Sequence, residues 1–227
     1  MNDKQHVAEY VASLVTDGML VGLGTGSTAN FFIEALACRQ REENLRIQTV
    51  SSSIVSAIKA HDLGLPILSI EQIEQPDIYV DGADEVSPDL TLLKGRGSDL
   101  VREKLLAKAS KSFWVLIDPT KRVERLGANF PSPIEVMPFA WRMVKRSVEA
   151  IGGRGDLRPN TNKDGLAITS YGSLVLDMSF DKAMDAKDIN DLLDNIPGVV
   201  EHGIFHGLVT EVFCGCNGRI QQQSAKY

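Results

Sequence analysis

Along the first 120 residues, apolar side chains alternate between helical spacing and short continuous runs. Val7, Val11 and Leu14 recur at the three- and four-residue intervals of a helix, and the run at 19–23 is typical of a buried strand. The pattern then predicts a helix at 27–38, a strand at 46–50, a helix at 53–61, strands at 67–70 and 77–80, a helix at 100–110 and a strand at 113–117. This alternation predicts an α/β fold with a mostly parallel sheet that is covered on both faces.

The pattern changes at residues 129–138, where Pro131, Pro133 and Pro138 predict a crossing between two domains. Beyond it, the spacing predicts a helix at 139–150, a glycine-rich turn at 152–155, strands at 166–169 and 173–178, a helix at 186–195 and β structure at 196–200 and 208–213. The final RIQQQSAKY is interpreted as a polar tail. The second region is therefore predicted to be a small α+β domain.

Composition excludes several classes of protein. The chain has 227 residues, of which 43% are hydrophobic and 24% charged, which fits a globular protein with room for two cores. A net charge of −6 without a long basic block argues against nucleic acid as a partner. Without a signal-peptide pattern or an apolar run long enough to cross a bilayer, a cytoplasmic location without a membrane partner is expected.

Cysteine and histidine give no candidate metal or redox site. The spacing of Cys38, Cys214 and Cys216 matches no common zinc or redox motif, so all three are expected to be reduced and structural. The four histidines, His6, His61, His202 and His206, lie in no motif and are interpreted as ordinary surface or interface residues.

The glycine-rich turn VGLGTGSTAN, residues 21–30, is the first candidate for chemistry. Its closely spaced glycines allow a ligand to approach the backbone, and the free N–H groups at the start of the next helix favour an anion such as phosphate. Thr25, Ser27 and Thr28 add hydroxyl groups. A plain glycine turn without a ligand is the alternative interpretation.

Two known phosphate-binding motifs differ from this turn. Gly24, Gly26 and Ala29 satisfy the dinucleotide pattern G-x-G-x-x-A, but the next strand ends in serines, at 51–53, where an acid is expected to hold the ribose. A Walker loop would need Gly-Lys-Ser or Gly-Lys-Thr, which does not follow. Neither motif is supported.

Charged residues follow two further predicted strands. Asp81, Asp84 and Glu85 come after the apolar run in IYVDGADEV, and Lys94 and Glu103 lie in LLKGRGSDLVREK. If strands precede these turns, Asp81, Asp84, Lys94 and Glu103 converge with the glycine turn at one edge of the sheet, where open α/β folds bind ligands. A solvated turn for the acids, a surface position for Lys94 and a solvated helix face for Glu103 are the simpler alternatives.

Taken together, these segments resemble a known family. In matching order, GLGTGSTA at 22–29, SSS at 51–53, YVDGADE at 79–85, LLKGRG at 92–97, VREK at 101–104 and FPSPIEVMP at 130–138, followed by IGGR, resemble ribose-5-phosphate isomerase of the A type. The resemblance implies a Rossmann-like catalytic domain at 1–130, completed by about 204–227, and a ferredoxin-like α+β lid domain at 131–203.

The resemblance also implies an activity. It is the interconversion of D-ribose 5-phosphate and D-ribulose 5-phosphate through an enediolate, in the non-oxidative pentose phosphate pathway. No metal or redox cofactor takes part, and the protein is expected to be a homodimer or homotetramer. An amino-sugar phosphate deaminase, a coenzyme A transferase and a sugar-phosphate binding regulator without turnover are the alternatives that share such a scaffold.

Residue roles follow from the same resemblance. Glu103 is the base that moves a proton between C1 and C2, Lys94 is its electrophilic partner, and Asp81 and Asp84 are sugar-binding acids, of which Asp81 also assists ring opening. The implied substrate-binding set is Lys4, Thr25, Gly26, Ser27, Thr28, Asp81, Gly82, Ala83, Asp84, Lys94, Gly95, Arg96, Gly97 and Lys121. Glu85 is expected to be a solvated or structurally paired acid.

Arg96 departs from the family pattern, which typically has glycine after Lys-Gly. Two interpretations are open. The guanidinium either points to solvent or pairs with Asp99, or it narrows the sugar site and alters the substrate preference.

Overall fold

The computed structural model describes residues 2–97 and 99–225. Its α-helices are α1 (Asp3–Ser13), α2 (Ser27–Glu43), α3 (Ile54–Asp62), α4 (Leu100–Ala109), α5 (Trp141–Ala150) and α6 (Ala186–Asp194). Its strands are β1 (Leu20–Leu23), β2 (Gln48–Ser51), β3 (Ile67–Leu68), β4 (Ile78–Gly82), β5 (Glu85–Val86), β6 (Leu92–Leu93), β7 (Ser112–Ile117), β8 (Ser132–Val136), β9 (Arg154–Leu157), β10 (Leu174–Ser179), β11 (Val199–His202), β12 (Ile204–Phe205), β13 (Glu211–Cys216) and β14 (Arg219–Ser224). Short 3₁₀ turns lie at Ile70–Gln72, Pro119–Lys121 and Pro138–Ala140.

The contacts divide the chain into two compact units. The larger unit consists of residues 2–83, 102–122 and 208–225, and the smaller unit consists of residues 84–97, 99–101 and 123–207. The chain therefore passes from one unit to the other at Ala83/Asp84, Val101/Arg102, Arg122/Val123 and Gly207/Leu208.

The larger unit is built on a seven-stranded sheet with the order β14-β13-β7-β4-β1-β2-β3. All neighbours run parallel except β13 and β14, which form an antiparallel pair at one edge. The apolar faces of α1 and α2 pack on this sheet, and their buried residues, Val7, Val11, Phe32, Ile33 and Leu36, belong to one core with strand residues such as Val21 and Val80. The predicted α/β class with a mostly parallel sheet is confirmed.

Strand order reverses beside β1. From β1, the chain adds β2 and β3 on one side, whereas β4, β7 and β13 lie on the other. The carboxyl ends of β1 and β4 are therefore neighbours at a topological switch point, which is where open α/β sheets bind ligands.

The smaller unit has the chain order β8-α5-β9-β10-α6-β11, with an antiparallel sheet in the order β11-β8-β10-β9. This is the ferredoxin-like arrangement that the resemblance implied. Helices α5 and α6 cover the sheet through a core that includes Val144, Val148, Ile189 and Leu193. A second, three-stranded sheet, β12-β6-β5, also belongs to this unit.

Several boundaries differ from the predicted ones. Residues 219–224 form strand β14 and not a polar tail, because an edge strand that pairs only with β13 needs no apolar face. The proline-rich crossing contains strand β8, in which Pro131 and Pro138 lie outside the strand and Pro133 lies near its start. The strand predicted at 166–169 makes only isolated bridges, Pro159 to Leu166 and Ile168 to Leu174.

The contact-defined units also differ from the expected domains. Residues 84–97, 99–101 and 123–130 group with the antiparallel sheet, because β6 pairs with both β5 and β12 within the smaller unit. The assignment of 1–130 with 204–227 to a catalytic domain and of 131–203 to a lid stays a prediction. Among the described residues, no helix combines the length and the apolar character that crossing a membrane would need.

Candidate functional site

The glycine turn follows β1 and leads directly into α2. Gly26 is the N-cap of α2 and has a φ of 109°, in the region that favours glycine, and no other heavy atom would crowd a β-carbon there. A β-carbon on Gly24 would lie 2.2 Å from the side chain of Asp81, and one on Gly22 would lie 2.8 Å from the Tyr79 ring. Packing against β4 thus explains two of the three glycines, and backbone conformation explains the third.

Asp81, at the end of β4, fixes this turn. Its Oδ1 accepts hydrogen bonds from the backbone N–H of Thr25 at 3.0 Å and of Gly82 at 2.7 Å, and its Oδ2 accepts one from the Tyr79 hydroxyl at 2.5 Å. The Asp81 side chain is fully buried. The structure thus places the predicted sugar-binding acid against the predicted phosphate turn, as the meeting of β1 and β4 requires.

The serines after β2 supply a hydroxyl network on the other side of the turn. Thr25 Oγ1 lies 3.1 Å from Ser52 Oγ and donates to Ser53 Oγ at 2.8 Å, while Ser56 Oγ donates to the carbonyl of Gly24 at 2.7 Å. These serines are buried, so their hydroxyls stabilise the turn. The serine run at the end of a predicted strand was the sequence signal for this role.

Tyr79 is a site residue that sequence reasoning missed. It is fully buried in β4 and stacks on Phe113, with 5.0 Å between ring centroids. Burial raises the pKa of the Tyr79 hydroxyl well above its usual range, and the negative charges of Asp81 and Glu103 raise it further. Tyr79 therefore stays a neutral donor to Asp81, in the electrostatic range of the Glu103 carboxylate.

Three predicted charged residues of the larger unit lie on different elements. Glu103 lies in the first turn of α4, with only 5% of its surface exposed, so a solvated helix face is the wrong interpretation. Lys4 Nζ, from α1, lies 3.4 Å from Ser27 Oγ at the start of α2 and 3.8 Å from Asp118 Oδ2. Lys121 is half-buried at the end of the 3₁₀ turn that Asp118 caps.

The predicted residues Lys94–Gly97 lie in the smaller unit, on the turn after β6. Lys94 is 5% exposed, so a surface position is excluded, and its Nζ lies 5.7 Å from the centroid of the Phe205 ring. The N–H of Lys94 donates to the carbonyl of Gly203 at 2.9 Å, which extends the pairing of β6 with β12. Gly95 follows with a φ of 99°, and a β-carbon there would collide with Leu100.

Asp84 and Arg96 contact the same turn. The N–H of Asp84 donates to the Leu93 carbonyl at 2.9 Å, and the N–H of Arg96 lies 3.4 Å from Asp84 Oδ2. The Arg96 side chain is exposed, and its guanidinium lies 4.2 Å from the centroid of the Phe130 ring. Stacking on an aromatic ring is a contact that neither interpretation of Arg96 included.

Glu85, next to Asp84, is a structurally paired acid. It is fully buried in β5, where Oε2 accepts from the N–H of Gly127 at 2.6 Å and Oε1 accepts from the N–H groups of Asn129 at 2.6 Å and Phe130 at 3.1 Å. The solvated alternative is therefore wrong. Glu85 fixes the loop that carries Phe130.

Arg158 and Asp177 are further residues that the sequence did not indicate. Arg158 Nε and Nη2 donate to the two carboxylate oxygens of Asp177 at 2.8 and 2.6 Å. Arg158 Nη1 also donates to the carbonyls of Gly95 at 3.1 Å and Arg96 at 3.3 Å. The guanidinium thus joins the antiparallel sheet to the turn after Lys94.

His202 corrects the interpretation of the histidines, because it is fully buried. Its Nδ1 accepts from the N–H of Ile204 at 3.3 Å, so the ring proton lies on Nε2, which donates to Asp194 Oδ1 at 3.0 Å. Asp194, Glu201 and His202 form the one group of possible metal ligands found in the described residues. A protonated Nε2 offers no lone pair to a metal, so this arrangement is that of a structural histidine.

Within each unit, the contacts bring some of the predicted residues together. In the larger unit, residues 25–28, Asp81 and Lys4 surround the start of α2, and in the smaller unit Asp84 contacts the turn formed by residues 94–97.

Comparison with known proteins identifies the family. The family model described as ribose 5-phosphate isomerase A (phosphoriboisomerase A) matches residues 48–219. The chain belongs to this family. The ribose-5-phosphate isomerase A of Methanothermobacter thermautotrophicus is 44% identical over 95% of this chain and 94% of its own length. That of Thermosynechococcus vestitus is 41% identical over 93% and 90%.

Solved structures agree with this result. Ribose 5-phosphate isomerase A from Methanocaldococcus jannaschii has a TM-score of 0.92 at 38% identity and covers 98% of both chains. A D-ribose-5-phosphate isomerase in complex with phospho-erythronic acid has a TM-score of 0.94 at 36% identity, covering 99% of this chain and 100% of the other. The resemblance read from the motifs is therefore confirmed.

Proposed function

We propose that this chain interconverts D-ribose 5-phosphate and D-ribulose 5-phosphate through an enediolate, as an aldose-ketose isomerase of the non-oxidative pentose phosphate pathway. The observation that carries the proposal is that a chain 44% identical to a ribose-5-phosphate isomerase A over 95% of its length has both a buried carboxylate, Glu103, and a buried ammonium, Lys94. Binding of a sugar phosphate alone needs no base.

The chemistry assigns a different role to each group. Glu103 takes the proton from C2 of the open-chain aldehyde and returns it to C1. The proton of the C2 hydroxyl passes to the oxygen on C1, so that the carbonyl shifts from C1 to C2. The intermediate carries negative charge on oxygen, and the Lys94 ammonium stabilises this charge. A structural relative binds phospho-erythronic acid, a sugar acid whose planar carboxylate resembles the O–C–C–O edge of an enediolate. That likeness supports an enediolate mechanism here.

The glycine turn is proposed to bind the phosphate group of the substrate. The start of α2 offers free N–H groups at residues 26–28, and the hydroxyls of Ser27 and Thr28 and the ammonium of Lys4 lie at this helix end. The Asp81 carboxylate orients the N–H of Thr25 and so fixes the turn. Asp84, Lys121 and residues 94–97 are proposed to complete substrate binding, and Asp81 to assist ring opening.

A coupled assay tests this function directly. Wild-type protein is expected to form ribulose 5-phosphate from ribose 5-phosphate, without added metal or redox cofactor. Ammonia release from glucosamine 6-phosphate or acyl exchange on coenzyme A, in place of isomerisation, would show that the chain has another activity. Binding of ribose 5-phosphate without turnover would show that it is a regulator.

The proposal also includes the cellular location and the assembly state of the protein. As an enzyme of central carbon metabolism, the protein is proposed to act in the cytoplasm. It is proposed to assemble as a homodimer or homotetramer. Light scattering of the purified protein at several concentrations would measure its assembly state.

A further inference from the structure

We propose that Arg158 is a positioning residue for the reaction, which it serves by holding the turn that carries Lys94. The inference rests on the proposed role of Lys94 and concerns contacts within the smaller unit. Four hydrogen bonds from one guanidinium support it, two to Asp177 and two to the carbonyls of Gly95 and Arg96.

Arg158 is itself anchored in the antiparallel sheet. It follows β9 directly, its N–H donates to the Val175 carbonyl at 2.7 Å, and its own carbonyl accepts from the N–H of Ala167 at 2.9 Å. Asp177 lies inside β10, between partners on β8 and β9. The side chains of Arg158 and Asp177 are 15% and 26% exposed, so solvent screens this ion pair only in part. The guanidinium is therefore a fixed donor.

The turn needs such a donor. Gly95 has a positive φ, and the carbonyls of residues 95 and 96 leave the ladder that β6 forms with β12. Before the turn, the N–H of Lys94 is held by Gly203; after it, Arg158 holds the two carbonyls. Lys94 is thus fixed on both sides, by a strand on one side and by an arginine on the other.

The geometry of arginine suits this task. Its planar fork satisfies a carboxylate with Nε and Nη2 while Nη1 points elsewhere, and a lysine ammonium is a single point charge that cannot do both. The substitution Arg158→Lys therefore keeps the charge opposite Asp177 and removes the contact with the turn.

The test compares Arg158→Lys with wild type in steady-state kinetics and in hydrogen–deuterium exchange. If Lys94 acts on charge that develops in the transition state, a displaced turn lowers kcat and leaves KM nearly unchanged. We expect kcat to fall on the order of 10- to 100-fold, with KM within about threefold. Exchange should accelerate at residues 94–97 and stay at the wild-type rate in α5 and α6. Asp177→Asn should act in the same direction with a smaller effect.

The matched control is Lys145→Gln. Lys145 forms ion pairs with Asp156 at 3.1 Å and Glu149 at 3.9 Å in the same unit, and neither partner belongs to the turn at residues 94–97, so kinetics and exchange should match wild type. An Arg158→Lys protein with wild-type kcat, or one whose exchange rises uniformly across the smaller unit, would overturn the proposal. If wild type fails to isomerise ribose 5-phosphate, the proposed function fails, and the exchange comparison alone decides whether Arg158 holds the turn.

Discussion

The glycine turn of the larger unit and the lysine turn of the smaller unit both depend on a glycine with positive φ, but different interactions hold them. The first turn is held by a buried carboxylate, Asp81, and by serine hydroxyls that lie at the ends of adjacent parallel strands. The second is held by a cation, Arg158, from an antiparallel sheet. The parallel sheet collects its polar residues at one edge by topology, whereas the antiparallel sheet needs a specific long side chain.

This difference predicts that each turn controls a different kinetic parameter. The glycine turn is proposed to bind a phosphate that does not change during the reaction, so damage to it should raise KM. The lysine turn is proposed to position a charge that acts on the reacting oxygen, so damage to it should lower kcat. Variants in each turn separate the two effects.

Among variants of the two turns, the largest effect is expected from Lys94→Ala. Lys94 is proposed to stabilise the developing oxyanion, so its removal should lower kcat by about 10²–10³-fold, with little change in KM. Initial rates of ribulose 5-phosphate formation over a range of substrate concentrations measure both constants. A Lys94→Ala protein that kept its kcat and lost only affinity would place Lys94 among the binding residues.

Glu85→Ala is expected to have the largest effect on stability. The substitution leaves three N–H groups of residues 127–130 without their buried acceptor, which should lower the free energy of unfolding by about 2–4 kcal/mol. Glu85→Gln is the matched variant, since its amide oxygen can still accept from Asn129 and Phe130, and its loss should be smaller. Urea denaturation measures the free energy of unfolding of wild type, Glu85→Gln and Glu85→Ala, which should fall in that order. Equal stability of all three proteins would contradict the structural role of Glu85.

Gly24→Ala tests the glycine turn. Its new β-carbon would overlap the Asp81 side chain, which should cost about 1–3 kcal/mol of stability and displace the turn, so that KM for ribose 5-phosphate rises. Gly153→Ala is the control, because its β-carbon meets Val148 in the smaller unit and not the glycine turn. Both variants should be less stable than wild type, and only Gly24→Ala should have a higher KM for ribose 5-phosphate. A parallel rise of KM in both would assign the effect to general strain.

The smallest effect is expected from Arg96→Gln. Loss of the guanidinium from the face of Phe130 should lower stability by about 0.5–1 kcal/mol. Whether Arg96 also sets substrate preference stays a prediction. Its measurement is the ratio of kcat/KM for ribose 5-phosphate to that for allose 6-phosphate. Phe130→Leu is the matched variant, because it removes the stacking partner and keeps the cation. If this kcat/KM ratio changes in Arg96→Gln and not in Phe130→Leu, the charge of Arg96 sets the substrate preference.

The sequence predicted the larger unit better than the smaller one, for a physical reason. Consecutive β and α elements in an open parallel sheet bring strand ends together, so residues 24–28 and Asp81 could be placed at one edge from the sequence. Arg158, Asp177 and Phe130 lie on elements of the antiparallel unit, where no comparable rule gives the contacts. The contact of Tyr79 with Asp81 could not be predicted, because an aromatic residue in a buried strand also fits an ordinary core.

The prediction of secondary structure failed for strands that are exposed or contain proline. Strand β14, with its three glutamines, is mostly exposed at a sheet edge, so it lacks the alternation that indicates a strand. Strand β8 contains a proline and is buried throughout, so its residues fit a linker as well as a strand. In both segments, the pairing partner decides the structure, and the local sequence does not contain that information.

The most direct test of the central claim, an enediolate isomerase with Glu103 as its base, is the reaction of ribose 5-phosphate in deuterated water with wild type and with Glu103→Gln. Wild type should form ribulose 5-phosphate and incorporate deuterium at C1, as followed by NMR. Glu103→Gln keeps the shape of the side chain and loses its basicity, so isomerisation and exchange should both fall by about 10²–10⁴-fold while substrate still binds. Equal rates of isomerisation in the two proteins would contradict the account.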